Sequence, residues 1–302
     1  MSDCEFASPQ TIQEGLEIIS RINKEVTFIS GGTDLVIQLQ SGKLKPAWMI
    51  DLSQISELKF IKEVEGRIRI GSGTTFSQIA ESSLLQGKAR CLSQAASQVG
   101  STQIRNRATL GGNIANASPA GDSLPALLVL EAWVSIQGPK GSRRVSFAEF
   151  QAGKGLGLKG NEFITEIDFP VWESSEKTRI VSAFGKLGSR TAVSIARLNI
   201  AARVEVDSEH ETIVRSSWAV GALGRIPLRL EELELELQGK AVNSELACQI
   251  ADRLTEVVDR AIPGRASQEY KRLAIRGLAS DLLSDLFPLM GFKEDIVLFL
   301  EN

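Results

Sequence analysis

The chain has 302 residues, 43% hydrophobic and 24% charged, with a net charge of −3. This length allows two or three domains with a well-buried core. The near-neutral balance, with no block of Lys and Arg, argues against a nucleic-acid or anionic-membrane surface.

A helix is predicted over residues 11–22, capped by Ser8 or Thr11, with Ile12, Leu16, Ile19 and Ile22 on one face. Residues 26–30 read as a buried strand that breaks at Gly31-Gly32, with Thr33 and Asp34 following. A helix over 34–40 and a strand over 48–52 complete an α/β unit spanning about 1–55. Asp34 either caps its helix or touches a ligand, and the residues leave both readings open.

Strands are predicted at 59–64 and 67–70, followed by GSGTTFSQIAES, in which Thr75 caps a helix containing Phe76, Ile79 and Ala80. Residues 91–99 form a small-residue helix whose alanines permit close packing. Residues 104–122, IRNRATLGGNIANASPAGD, hold a second glycine pair, Gly111-Gly112. Glycine tolerates positive φ and close backbone approach, and successive turn amides make a concave nest for phosphate. The same reading applies to Gly31-Gly32, although this pair could be a plain tight strand-to-helix turn. Neither matches G-x-G-x-x-G or G-x-x-x-x-G-K-[ST]. Arg105 and Arg107 could contact phosphate, pin the loop or face a partner. Asp122 is a candidate cap for a helix over 124–130, and strands at 133–137, 143–145 and 163–169 close a second α/β unit at Pro170.

Residues 173–178 read as a linker. Three strands (180–187, 196–206, 212–220) and three helices (228–237, 244–261, 268–287) then follow, an α+β pattern. Trp133, Trp172 and Trp218 fall in strand periodicity and are expected in the core. The helix over 244–261 presents Leu246, Ile250, Leu254 and Val257-Val258 on one face, which core packing explains.

The longest apolar stretch, 126–136, is broken by Glu131 and too short to cross a bilayer. Residues 2–5 lack the basic and apolar pattern of a secretory signal, so the cytoplasm is the expected location. Cys4, Cys91 and Cys248 form no CxxC, which argues against a disulfide framework, a zinc site or an iron–sulfur cluster held by this chain alone. The single histidine, His210, sits in a charged hairpin-like connection and is expected to be exposed. No Ser-His-Asp or Cys-His arrangement is available, so any chemistry falls to a bound organic cofactor.

Four segments in order, 28–55, 68–81, 104–127 and 184–204, resemble the FAD-binding medium subunit of the molybdenum hydroxylases, the xanthine dehydrogenase and carbon monoxide dehydrogenase group. The resemblance covers essentially the whole chain. It implies an α+β chain: a PCMH-type FAD-binding domain over 1–172, with subdomains of about 1–55 and 56–172, and a C-terminal antiparallel-sheet-plus-helices domain over 179–302. It implies that Ser30, Gly31, Gly32, Thr33 and Asp34 wrap one side of the FAD diphosphate, and Thr109, Leu110, Gly111, Gly112 and Asn113 the other. Gly73 and Thr74 would line the same cleft, and Asp122 would lie near the ribityl and flavin end.

Lys186, in FGKLGSR, matches a lysine close to the isoalloxazine. A cation at the N1–C2=O edge stabilises negative charge on the ring, and this is the chain's candidate catalytic residue; a solvated strand lysine is the plainer alternative. The resemblance further implies partners: a small subunit with two [2Fe–2S] clusters and a large molybdopterin subunit, assembled as a dimer of heterotrimers. Electrons would leave to NAD⁺, a quinone or O₂. No metal site and no [4Fe–4S] insertion are expected in this chain. The motifs look closest to the xanthine dehydrogenase branch, which suggests a purine or related N-heterocycle as the complex's substrate. The competing reading is a free-standing FAD-dependent NAD(P)H reductase or oxidase on the same fold, disfavoured by the scarcity of His, Tyr and paired acids. A flavin-free binding protein ranks behind both, because both glycine turns are intact.

Overall fold

The computed structural model describes residues 4–22, 24–153, 157–191, 193–290 and 292. They fall into two compact units. One is drawn from Met1–Ser82, Ser101–Ala117 and Glu131–Val171, the other from Ser83–Gly100, Ser118–Leu130 and Trp172–Asn302.

The first unit contains two sheets, while residues 83–100 and 118–130 of the expected second subdomain fall in the other unit. Three parallel strands run in the order Glu5–Ala7, Trp48–Asp51, Val26–Ile29. The amphipathic helix Ile12–Arg21 begins at Thr11, whose hydroxyl accepts from the Glu14 N–H. Its Ile19 joins Val26, Ile50, Leu52, Ile55, Leu58 and Phe163 in a local core. The second sheet is antiparallel, in the order Ile61–Val64, Arg67–Gly71, Phe163–Pro170, Trp133–Gly138, Gly141–Ser146. Thr75 starts the helix Phe76–Glu81 with a full capping box to Gln78, which satisfies two otherwise orphaned amides.

Ion pairs lace this antiparallel sheet. Asp168 is only 3% exposed and accepts from Arg67 at 2.5 Å and from Arg144 at 2.6 Å. The Arg144 guanidinium also lies 4.6 Å from the Trp133 ring, so this tryptophan packs against a cation rather than in an apolar core. Glu162 is held below its ordinary value chiefly by hydrogen bonds from Arg143, against the opposing effect of burial. A depressed folded value adds stability above the unfolded value and loses it as pH falls through the folded one. Arg143→Met is therefore expected to lose about 1 kcal/mol at neutral pH and to show a flatter decline below pH about 4.5, read from urea midpoints across pH.

The second unit is built on a four-stranded antiparallel sheet ordered Leu228–Arg229, Ile213–Gly221, Leu198–Asp207, Thr178–Leu187. Strand alternation sends Ala183, Leu198, Ile200, Ala202, Val204, Trp218 and Val220 to one face. There they meet apolar residues of Glu231–Leu237, Ser244–Ala261 and Gln268–Leu286. Trp218 is fully buried in this core, and Leu246, Ile250, Leu254 and Val258 fill it as the helical period predicts.

The other face carries Ser182, Phe184, Lys186, Asn199, Arg203 and Ser217. Against it pack the alanine-rich helix Arg90–Ser97 and the helix Ser123–Val129. Trp172 is buried as expected, and its ring also lies 3.7 Å from the Arg203 guanidinium and 3.8 Å from that of Arg215.

One helix starts later than its periodicity suggests. Helix is predicted from 228, but Leu228–Arg229 pairs with Val220 and Ala219 as an edge strand, and the helix is Glu231–Leu237. Ladder pairing there overrides local propensity. His210 is 68% exposed and its backbone N–H donates to Asp207, as expected of a turn residue. No described helix is long and apolar enough to cross a membrane.

Candidate functional site

In the first unit, three glycine-bearing segments pack backbone against backbone. The strand Val26–Ile29 ends where the Leu52 N–H donates to the Ile29 carbonyl, and the turn 30–34 follows. A Cβ on Gly31 would overlap the Arg107 carbonyl oxygen and lie 2.9 Å from the Ala108 Cα. This turn therefore rests directly on the chain entering the second glycine pair. The Thr109 hydroxyl donates to Ser30 Oγ at 3.3 Å and ties the two segments again. Gly32 has φ +75°, the left-handed region that glycine favours.

The second pair differs from expectation. Gly111 and Gly112 are not at positive φ; they form the first turn of a helix, Leu110–Asn116, capped by Thr109. Gly111 is required by proximity, since a Cβ there would lie 2.6 Å from the Ser72 Cβ. The third segment, 71–75, supplies the other contacts. The N–H groups of Leu110 and Gly111 donate to the carbonyls of Thr74 and Ser72, and Gly73 donates to Leu58 at 2.7 Å. Thr74 is 1% exposed and its hydroxyl donates to the Phe60 carbonyl.

The two turns thus do different work. At the second, the amides of Leu110, Gly111, Gly112 and Asn113 all have acceptors within the chain, the latter two on Thr109. At the first, the N–H groups of Gly31, Gly32, Thr33 and Asp34 meet no acceptor among the described residues. Successive amides left without acceptors are the kind of donor set from which an anion nest is built. Asp34 stands at the cap position of Leu35–Gln40, yet its carboxylate makes no capping bond.

A cleft of about 470 Å³ opens here, lined among others by Ser30, Gly31, Gly73, Thr75, Thr109 and two cations, Lys59 and Arg107. Arg105 takes a different part: it donates to Thr102 Oγ1 in its own short helix. Lys59 escaped the sequence reading because bonds from a distant segment bring it to the cleft, the Gly73 amide on the Leu58 carbonyl and the Gly71 amide and Thr74 hydroxyl on that of Phe60.

Asp122 and Lys186 belong to the second unit, where they are bonded to each other at 2.6 Å and each is 7% exposed. The Lys186 ammonium also donates to the Gln98 carbonyl, and Asn199 donates to Asp122. Asp122 thus stands at the start of Ser123–Val129 without capping it; its carboxylate is turned to Lys186. Burial pushes the Asp122 carboxyl above its ordinary range, opposed by Lys186 and Asn199.

Residues 2–172 match the family described as the FAD binding domain in molybdopterin dehydrogenase, and residues 183–286 the CO dehydrogenase flavoprotein C-terminal domain. The nicotinate dehydrogenase FAD-subunit of Eubacterium barkeri is 34% identical over 95% of this chain and 97% of its own length. The xanthine dehydrogenase FAD-binding subunit of Escherichia coli O157:H7 is 30% identical over 94% and 96%. Among solved structures, the carbon monoxide dehydrogenase of Hydrogenophaga pseudoflava superposes with a TM-score of 0.82 at 25% identity, covering 94% of this chain and 97% of that one. Quinoline 2-oxidoreductase of Pseudomonas putida 86 shares the fold with a TM-score of 0.82 at 20% identity, over 96% and 98%. With family matches over both units and relatives aligned along nearly its whole length, the chain belongs to the FAD-binding subunits of the molybdenum hydroxylase family.

Proposed function

We propose that this chain is the electron-exit subunit of a heterotrimeric molybdenum hydroxylase, holding FAD with its diphosphate on the turn formed by Ser30, Gly31, Gly32, Thr33 and Asp34. The observation that carries the reading is the row of four unengaged amides beside a cleft that contains two cations. A diphosphate brings the acceptors and the negative charge that such a site lacks. Gly112 and Asn113 follow Thr109, which is bonded to Ser30 at the first turn; Leu110, Gly111 and Thr74 act as a frame, since they are buried and their donors are engaged.

When bound, FAD supplies two-electron acceptance and one-electron release; the chain's residues bind it, orient it and set its surroundings. Electrons would arrive from the [2Fe–2S] clusters of a small subunit, with molybdopterin and the hydroxylation chemistry in a large one. They would pass to NAD⁺ or another acceptor, with the assembly a dimer of heterotrimers. An N-heterocyclic substrate is supported by the names of the nicotinate and xanthine dehydrogenase relatives.

Two variants test the assignment. Gly112 is exposed, and a Cβ there meets only the Thr109 hydroxyl, at 2.9 Å. Gly112→Val is therefore expected to fold, with wild-type circular dichroism, and to lose FAD. Stoichiometric flavin in that variant would remove Gly112 from the site. The role of Lys186 and Asp122 at the flavin rests on the resemblance. Lys186→Ala is expected to retain FAD at a lower reduction potential, measured by dye equilibration, and an unchanged potential would leave the pair a purely structural one.

A further inference from the structure

The cleft beside the amide nest is chemically one-sided. None of its lining residues is acidic. Its neutral polar side chains are already committed: Thr75 with Gln78, Ser77 with Asn106, Thr109 with Ser30, and Ser53 with the Asp51 carboxylate. The side chains of Lys59 and Arg107 are exposed and meet no carboxylate among the described residues. Four other arginines of the same unit, Arg67, Arg69, Arg143 and Arg144, are seated on carboxylates. A lone solvated cation is ordinary; two that line one cleft beside four unengaged amides are not.

Their backbones are also fixed relative to the nest. Arg107 offers the carbonyl against which Gly31 packs, and Lys59 follows Leu58, whose carbonyl accepts from Gly73. We propose that Lys59 and Arg107 are the side chains that neutralise the ligand's phosphates, so that this cleft selects a pyrophosphate-bearing flavin over one without phosphate. The inference rests on the FAD reading and adds to it. The amides supply directional acceptor recognition, and the two cations supply most of the charge-dependent affinity. Arg107 can bind two phosphate oxygens with its planar fork, whereas Lys59 acts as a point charge.

The test uses the full chain freed of flavin, titrated with FAD and with riboflavin at several salt concentrations. Lys59→Gln and Arg107→Gln are each expected to weaken FAD binding about tenfold, and the double variant about a hundredfold. Riboflavin affinity and the thermal midpoint should stay at wild-type values, and the dependence of FAD affinity on salt should flatten, because fewer charges are screened. Lys59→Arg should restore the salt dependence. A double variant that binds FAD within about twofold of wild type, with the same salt slope, would overturn the assignment of these two residues while leaving the FAD reading intact. A wild-type chain that does not bind FAD would overturn both.

Discussion

Replacing Gly31 with alanine is expected to abolish FAD binding and to lower the thermal midpoint of the chain. The added Cβ would overlap the Arg107 carbonyl oxygen and lie 2.7 Å from its carbon, both backbone atoms that cannot rotate away. One of the two chain segments must therefore move. Displacements of this kind in packed regions cost about 1–3 kcal/mol. The movement also displaces the amides at 31–34, because Gly31 begins the row. Flavin content after dialysis and a melting curve check the two halves of the prediction. Gly112→Val provides the contrast, since it removes flavin with little effect on the melt.

The second large effect is expected at Asp122. Its carboxylate and the Lys186 ammonium are each 7% exposed and lie 2.6 Å apart. Burial raises the Asp122 carboxyl, so this group's contribution to stability is greatest below its unfolded value and declines as pH rises through the folded one. The buried pair is thus a poor source of stability near neutrality, yet its rupture is expensive. Asp122→Ala leaves the ammonium with only the Gln98 carbonyl, and leaves the Asn199 amide without its acceptor. Removing one partner of a buried ion pair costs about 3–5 kcal/mol. Urea midpoints should show that loss, and Asp122→Ala/Lys186→Met should recover much of it. Additive losses in the double variant would mean that the two residues are not coupled.

Locally encoded features were legible in the sequence. Thr11 and Thr75 cap their helices because a hydroxyl with the right spacing suffices. The helix Ser244–Ala261 follows from its apolar period alone. The glycine pairs pointed to the site, although the physical reason differs between them. Gly32 is needed for its positive φ, whereas Gly31 and Gly111 are needed because another backbone passes too close for a Cβ.

What escaped depends on long-range contact. No local pattern shows that Leu110 and Gly111 give their amides to Thr74 and Ser72, or that Leu58 places Lys59 at the cleft. The helices Arg90–Ser97 and Ser123–Val129 read as neighbours of the strands around them in sequence, yet they cover the sheet built from Thr178 onward. Asp122 looked like a cap from its position; only the fold brings Lys186, 64 residues away, to its carboxylate.

The most direct test of the central claim is an absorbance spectrum of the chain purified from its native host, with metal analysis of the same sample. The account predicts flavin bands, iron and molybdenum, together with two co-eluting subunits. A folded chain without flavin, which also fails to take up added FAD, would contradict it.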